Sequence, residues 1–398
     1  MKSTPESGSY NRIFTSNFLM VCLVNVAVVS SFYFLMTTVP LYIETIGGDE
    51  SQVGLVVGVM AAGALVTRPL AGFLSDAWGR KFVIIIGASI LLASTALYLL
   101  ATSVPWLLLV RVLHGIGFAA FTTGIFTLAA DISPIAKRGE TIGYFGATIN
   151  LAMVVGPALG IVLMESYGFQ RLFYSSAGVA LVGLLLSLRL SEPRMERSVK
   201  PKGRHALFER TALFPSMVMA LVAVTYASIV TFIPIYTSRQ NLGNPGLFFT
   251  VMGVVTLVAR GPLGGLSDRY GRGVIVIPGI MLCAAGLILL AYTSSLPVLL
   301  TVSFLYGIGF AGVQPAIMAL IVDSAPQESR GVAMGTFAAS MDVGIGVGSL
   351  LWGFISREWG FGTMYVAAGG MALLALALFS VGYRSLGIKK RRGRYEAK

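Results

Sequence analysis

Apolar runs of about twenty residues recur from Phe14 almost to the end of the chain, separated by short polar stretches. A helix rises 1.5 Å per residue, so each run can cross a hydrocarbon core of ~30 Å. Without water, backbone groups must be satisfied inside the span; the alternation of a barrel strand is absent, which leaves helices. Only 12% of the 398 residues are charged and 56% are hydrophobic, whereas a soluble domain has roughly 25% charged residues. The pattern predicts an all-α membrane protein with twelve transmembrane helices, near 14–41, 52–74, 82–101, 106–130, 141–163, 171–189, 213–237, 247–266, 274–293, 297–320, 332–355 and 362–384.

The basic residues set the orientation. A net charge of +12 is compatible with nucleic-acid binding in general, but here the cations are sorted by loop. With the N-terminus inside, the cytosolic connections and tails hold 23 of the 29 Lys and Arg. Arg171, Arg239 and Arg357 lie outside, and Arg68, Arg111 and Arg260 lie within spans. This is the positive-inside distribution, so both termini are expected in the cytosol, with membrane lipids and not nucleic acid as the surroundings. The opening residues 1–12 are polar and lack a cleavable signal. Cys22 and Cys283 both fall in apolar runs, which offers neither a disulfide framework nor a zinc cluster.

A nine-residue loop occurs twice. Residues 72–80 read GFLSDAWGR and residues 264–272 read GGLSDRYGR, 192 positions apart. The same offset matches Arg68 with Arg260, His114 with Tyr306, Asp131 with Asp323, Pro134 with Pro326 and Asn150 with Asp342. One register held this far implies two homologous, pseudo-symmetric six-helix bundles, residues 1–190 and 213–398. Residues 191–212 form a basic cytosolic linker between them, which reads as a solvated junction before a lipid-binding segment. Secondary transporters share this duplicated plan, with substrate bound near the midplane where the halves meet.

The motif G-x-L-x-D-x-x-G-R after the second span, with its copy after the eighth, resembles the signature of the Major Facilitator Superfamily. The sequence LVRVLHGIG at 109–117 and GPALG at 156–160 is similar to motifs of that family's proton-coupled drug exporters. The resemblance implies the twelve-helix fold, alternating access, a monomeric carrier in the plasma or bacterial inner membrane, and no cofactor beyond the proton gradient. The partners are then a small-molecule substrate and protons. It further implies that Asp76 meets the cytosolic start of span eleven and holds an inner gate shut, that Asp268 does the same by symmetry at span five, and that Arg111 takes part in proton transfer beside a carboxylate. Finally, it implies that the small residues around Gly156, Pro157 and Gly160 seal span five against span eight.

The residues themselves support parts of this. Gly79 and Gly271 suit backbone angles that other residues resist, while Gly72 and Gly264 permit close helix approach. Arg80, Lys81 and Arg272 compensate the aspartates. Asp342 is eleven residues beyond Gly331, about 16 Å into the core, where a charge is costly and therefore functional by default. It is the expected proton carrier, with fixed hydrogen bonding or a cationic substrate as the other roles open to it. Its repeat partner, Asn150, cannot titrate. Arg111 stands five residues from Trp106, shallow enough for its head to snorkel outward. His114 shares its helix face and either titrates or packs. Asn25, Tyr33, Asn150, Tyr226 and Asp342 are the expected cavity residues, and Arg68 and Arg260 read as helpers of the repeated loops. Pro157 should kink its helix. No phosphate-binding loop, metal-spaced His/Cys set or nucleophile elbow argues for a pump or an enzyme. The expected activity is proton-coupled export of small amphipathic or drug-like molecules. The alternatives are a proton-coupled uptake carrier, an exporter of a siderophore-type metabolite, or a transport-dead sensor.

Overall fold

Two glycines decide how the helices are counted. The computed structural model describes residues 13–134, 137–192, 209–326 and 329–385; most of the basic linker, 193–208, and both tails lie outside the described residues. Among the described residues ten helices are long and apolar enough to cross a membrane. They are α1 (Ser16–Thr45), α2 (Glu50–Trp78), α3 (Arg80–Leu97), α4 (Val104–Asp131), α5 (Arg138–Ser187), α6 (Arg210–Arg239), α7 (Pro245–Tyr270), α8 (Gly273–Leu290), α9 (Leu296–Ser324) and α10 (Arg330–Ser385). With 50 and 56 residues, α5 and α10 would run roughly 75–85 Å if straight, over twice the hydrocarbon thickness. Each instead breaks at one glycine, Gly168 (φ 81°, ψ 169°) in α5 and Gly360 (φ 79°, ψ 166°) in α10. These glycines stand 192 residues apart, so the repeat read from side chains recurs in the backbone. Pro157 and the other in-span prolines do not produce such a break; among the described residues of α5, only Gly168 has non-helical angles.

The chain divides into two compact units, residues 1–47 with 59–203, and residues 48–58 with 204–398. In the first, α1 packs along α5 and α3 along α4; in the second, α6 packs along α10 and α8 along α9. The seams are narrow because they run over glycine. A methyl group on Gly160 would lie 2.6 Å from the Phe34 carbonyl oxygen, and one on Gly344 would lie 2.4 Å from the Ala220 carbonyl oxygen. Helices in lipid gain little from apolar contact alone, so close approach through small residues supplies the packing. Gly87 and Gly117 do the same between α3 and α4.

The first turns of α2 belong to the second unit. Gly54 and Gly58 lie against Ser349 and Leu350 of α10, and Gly353 lies against Glu50. Asp49 pairs with Arg357 at 3.0 Å, and Glu50 pairs with Arg239. Two of the three basic residues assigned to the outer side thus find acids at the start of one helix.

Candidate functional site

The repeated loops build the same charged cluster in each unit. In the first, α2 ends at Trp78 and α3 begins at Arg80, with Gly79 between them at φ 109°, a conformation that L side chains rarely adopt. The turn swings the Arg80 guanidinium back onto the helix it has left. It donates to the Ser75 carbonyl oxygen at 2.6 Å and to Asp76 at 2.6 Å, and its Nε reaches Asp131 at the end of α4 at 2.9 Å. In the second unit Gly271 has φ 95°, and Arg272 bonds Asp268, Ser267 Oγ at 3.2 Å, and Asp323 at 2.9 Å. Partial burial pulls the Arg272 guanidinium down, but its hydrogen bonds and charge interactions with Asp268 and Asp323 outweigh this and hold it above the ordinary arginine value. The outer members of the two clusters, Asp76 and Asp268, have side chains 76% and 70% exposed.

Asp131 and Asp323 complete the clusters. The fixed offset pairs them, yet nothing in the local sequence ties them to the loops, because 51 residues separate each from its arginine. Gly72 and Gly264, expected to sit at close helix contacts, face open space. Lys81 donates to the Leu188 carbonyl oxygen at 2.7 Å.

Arg111 and His114 lie together inside the first unit, and both are fully buried. The expected outward snorkel of Arg111 does not occur. Its Nη2 donates to the Leu35 carbonyl oxygen at 3.1 Å, Nη1 reaches Met60 Sδ at 3.2 Å, and the guanidinium sits 5.6 Å from the centre of the Tyr98 ring. These inward partners meet the cation where a snorkel would have broken α4 packing against α1 and α2. Among the described residues no carboxylate pairs with it, and its Nε has no hydrogen-bond partner. Tyr98, in the short 3-10 turn Tyr98–Leu100 that ends α3, also bonds His114 Nδ1 through its hydroxyl at 2.9 Å. Phe32 lies edge-on to the imidazole. Sequence reasoning missed Tyr98; a tyrosine near a span end reads as an interfacial anchor, and only the tertiary fold turns it inward.

Within the first unit the glycines of the 156–160 motif line the seam between α5 and α1. A methyl group on Gly156 would lie 2.4 Å from Tyr33 Cβ, and Gly160 abuts Phe34, so within its unit the motif packs α5 on α1. Pro157 is buried. Asn25 lies on α1 with its amide donating to Thr148 Oγ1 of α5 at 2.8 Å, its own Oδ1 unpartnered. Asn150 is buried two residues further along α5.

In the second unit Asp342 is half-buried on α10. Its neighbour Met341 receives Gln314 Nε2 at 3.6 Å, and Gln314 Oε1 in turn accepts from Arg260 at 2.9 Å. Arg260, expected to serve the loop, thus reaches Gln314 of α9 inside the bundle. Tyr226 stacks on Phe310 with centroids 4.7 Å apart, and Phe310 stacks on Tyr306, whose hydroxyl meets Thr225 Oγ1 at 3.1 Å. Where the first unit has a buried arginine and histidine, the second has an uncharged aromatic column.

The sequence profile of the Major Facilitator Superfamily matches residues 21–259 and 241–395. An uncharacterised MFS-type transporter of Methanocaldococcus jannaschii is 27% identical over 345 residues, covering 83% of this chain and 89% of that protein. The multidrug resistance protein MdtG of Citrobacter koseri is 26% identical over 388 residues, covering 93% and 94%. Among solved structures, the nucleoside transporter NupG, as its D323A mutant, superposes with a TM-score of 0.76 at 16% identity, over 92% of this chain and 99% of that one.

Proposed function

The chain belongs to the Major Facilitator Superfamily, a multi-pass membrane transporter of small molecules and not an enzyme, and from that premise we propose that it is a proton-driven exporter of small amphipathic or drug-like compounds. We read the two glycine-broken helices as pairs of spans, giving twelve in two bundles joined by the basic linker, with both termini in the cytosol. The observation that carries the direction is the similarity to MdtG across nearly the whole chain, in a sequence with an arginine and a histidine buried side by side in α4. Transport is by alternating access. A proton from outside reaches Asp342, the acid set deepest in a span, and substrate leaves by competition. The Asp76 loop then releases and the protein opens inward.

Arg111 acts in this scheme without touching a carboxylate in its own unit; its fixed cation and the Tyr98–His114 hydrogen bond shape the field in which protons move. Substrate is held by Asp342 with Asn25, Tyr33, Asn150 and Tyr226. Gly72, Asp76, Gly79, Arg80 and Lys81, with their counterparts Gly264, Asp268, Gly271 and Arg272, form the inner gate. A carboxylate at a helix start is stabilised by ~0.3–1 kcal/mol, small enough for the gate to open on each cycle.

The test is transport in liposomes with an imposed pH gradient, screened over a panel of cationic and neutral amphipathic dyes. Export coupled to protons predicts proton movement on adding substrate, and loss of that movement in Asp342→Asn. Normal coupling in that variant removes Asp342 from the scheme. The repeated loops serve uptake carriers equally well, and cells that gain substrate on expression would reverse the direction.

A further inference from the structure

The chain that leaves α5 toward the linker is stitched to the first gating loop by a residue outside the loop motif. Glu192 places one carboxylate oxygen 2.7 Å from the backbone nitrogen of Arg80 and the other 3.3 Å from that of Lys81. Both amides belong to the first turn of α3, where helix N–H groups have no partner of their own and the helix dipole favours an anion. α3 has no side-chain cap from its own N-cap residue, which is Gly79. The glycine is needed here for a second reason besides its φ of 109°: a methyl group on it would lie 2.8 Å from Glu192 Oε2.

Neighbouring contacts hold the carboxylate in place. Asn17 at the start of α1 exchanges two hydrogen bonds with the Ser191 backbone, at 2.8 and 3.0 Å, and Lys81 Nζ donates to the Leu188 carbonyl oxygen at 2.7 Å. Arg80 is therefore gripped twice, by Asp76 and Asp131 at its guanidinium and by Glu192 at its backbone. Among the described residues no carboxylate does this at the second loop: position 384, at the repeat offset from Glu192, is an arginine, and Gly273 there faces the Tyr383 ring.

We propose that Glu192 is a positioning residue of the inner gate, fixing the angle at which α3 leaves the loop and hence where Arg80 presents Asp76. The proposal rests on the gating role of Asp76 given above. It also makes the two loops unequal in sequence, the first clamped by Glu192 at the root of the linker and the second with an arginine at the matching position.

Two measurements on the full chain in lipid nanodiscs test it. Hydrogen exchange at the amides of Arg80 and Lys81 should speed up at least about tenfold in Glu192→Gln and recover in part in Glu192→Asp, while the amides that follow Arg272 are unchanged. Gate opening is read with Leu65→Cys, on the α2 face that carries Gly54 eleven residues earlier, and a membrane-impermeant maleimide, with Cys22 and Cys283 replaced by serine. Glu192→Gln should raise the labelling rate several-fold, Asp76→Asn should do the same, and the double variant should label no faster than the quicker single one. Unchanged exchange in Glu192→Gln overturns the proposal, as do labelling effects that multiply in the double variant, since an independent structural defect would behave that way. If Asp76→Asn leaves labelling unchanged, the gate reading fails, and the exchange result still decides whether Glu192 caps α3.

Discussion

Replacing Gly160 by alanine tests the seam between α1 and α5 most directly. The new methyl carbon would lie 2.6 Å from the Phe34 carbonyl oxygen, 2.9 Å from Phe34 Cα and 3.2 Å from its carbonyl carbon. All three are backbone atoms of a helix, so no side-chain rotation relieves the contact. Ordinary contact needs about 3.5–4.0 Å, so the helices must part by roughly 1 Å along this stretch. Overpacking of that kind costs about 1–3 kcal/mol. Alanine in a helix returns roughly 0.5–1 kcal/mol over glycine, and Gly178→Ala isolates this gain, because a methyl group there meets nothing within 4 Å. The difference between the two variants is then the packing cost alone. At about 2–4 °C per kcal/mol for a unit of this size, Gly160→Ala should melt several degrees below Gly178→Ala in the same detergent. It should also transport more slowly, because α1 and α5 carry Tyr33 and Asn150, two residues proposed above to hold substrate. Equal melting temperatures would refute the reasoning, since they would show that α1 and α5 do not meet through Gly160.

Other outcomes follow from the same geometry. Arg111→Met should abolish pH-driven dye transport while thermal stability holds within about 1 kcal/mol or rises, because an isolated buried cation is replaced by a side chain of similar volume; a folded, fully active Arg111→Met protein would end the coupling role. Asp131→Asn should slow transport more than Asp323→Asn, since the Asp131 side chain is 17% exposed and Asp323 is 58% exposed, and dye flux at matched expression compares them. Glu209 precedes α6, and hydrogen bonds from Ser329 and the Thr211 backbone hold its carboxyl below the usual 4.5. A depressed carboxylate pKa contributes stability above the unfolded value, lost as pH falls through the folded one. The stability gap between the native chain and Glu209→Gln should therefore be full at neutral pH and shrink below about pH 4.5, which melting curves from pH 3 to 7 would reveal.

Much of the architecture was legible because lipid leaves the chain few choices. Apolar run length predicts spans, and the sorting of Lys and Arg predicts sides, without any knowledge of packing. The 192-residue register carried further than its side chains alone suggested, since it also locates the paired backbone breaks at Gly168 and Gly360 and the paired turns at Gly79 and Gly271. The helix count is where run length stops: the two longest helices continue through their predicted connections and turn on one residue each, so the continuous membrane-length helices among the described residues number ten where the hydropathy pattern predicts twelve spans.

What the sequence determined by itself was local and periodic: helices, their order, the duplicated loop, and the glycine that the loop turn demands. Only the tertiary structure decided which residues meet. It placed Asp131 on Arg80 across 51 residues and Glu192 on the start of α3 across 112. It turned Tyr98 inward to His114 and kept Arg111 from reaching the surface. It also set the 156–160 glycines against α1. The reason is physical: a span's length and hydropathy report its exchange with lipid, which each segment makes alone. Pairing a buried charge or closing two glycine faces depends on which helix the rest of the chain brings alongside.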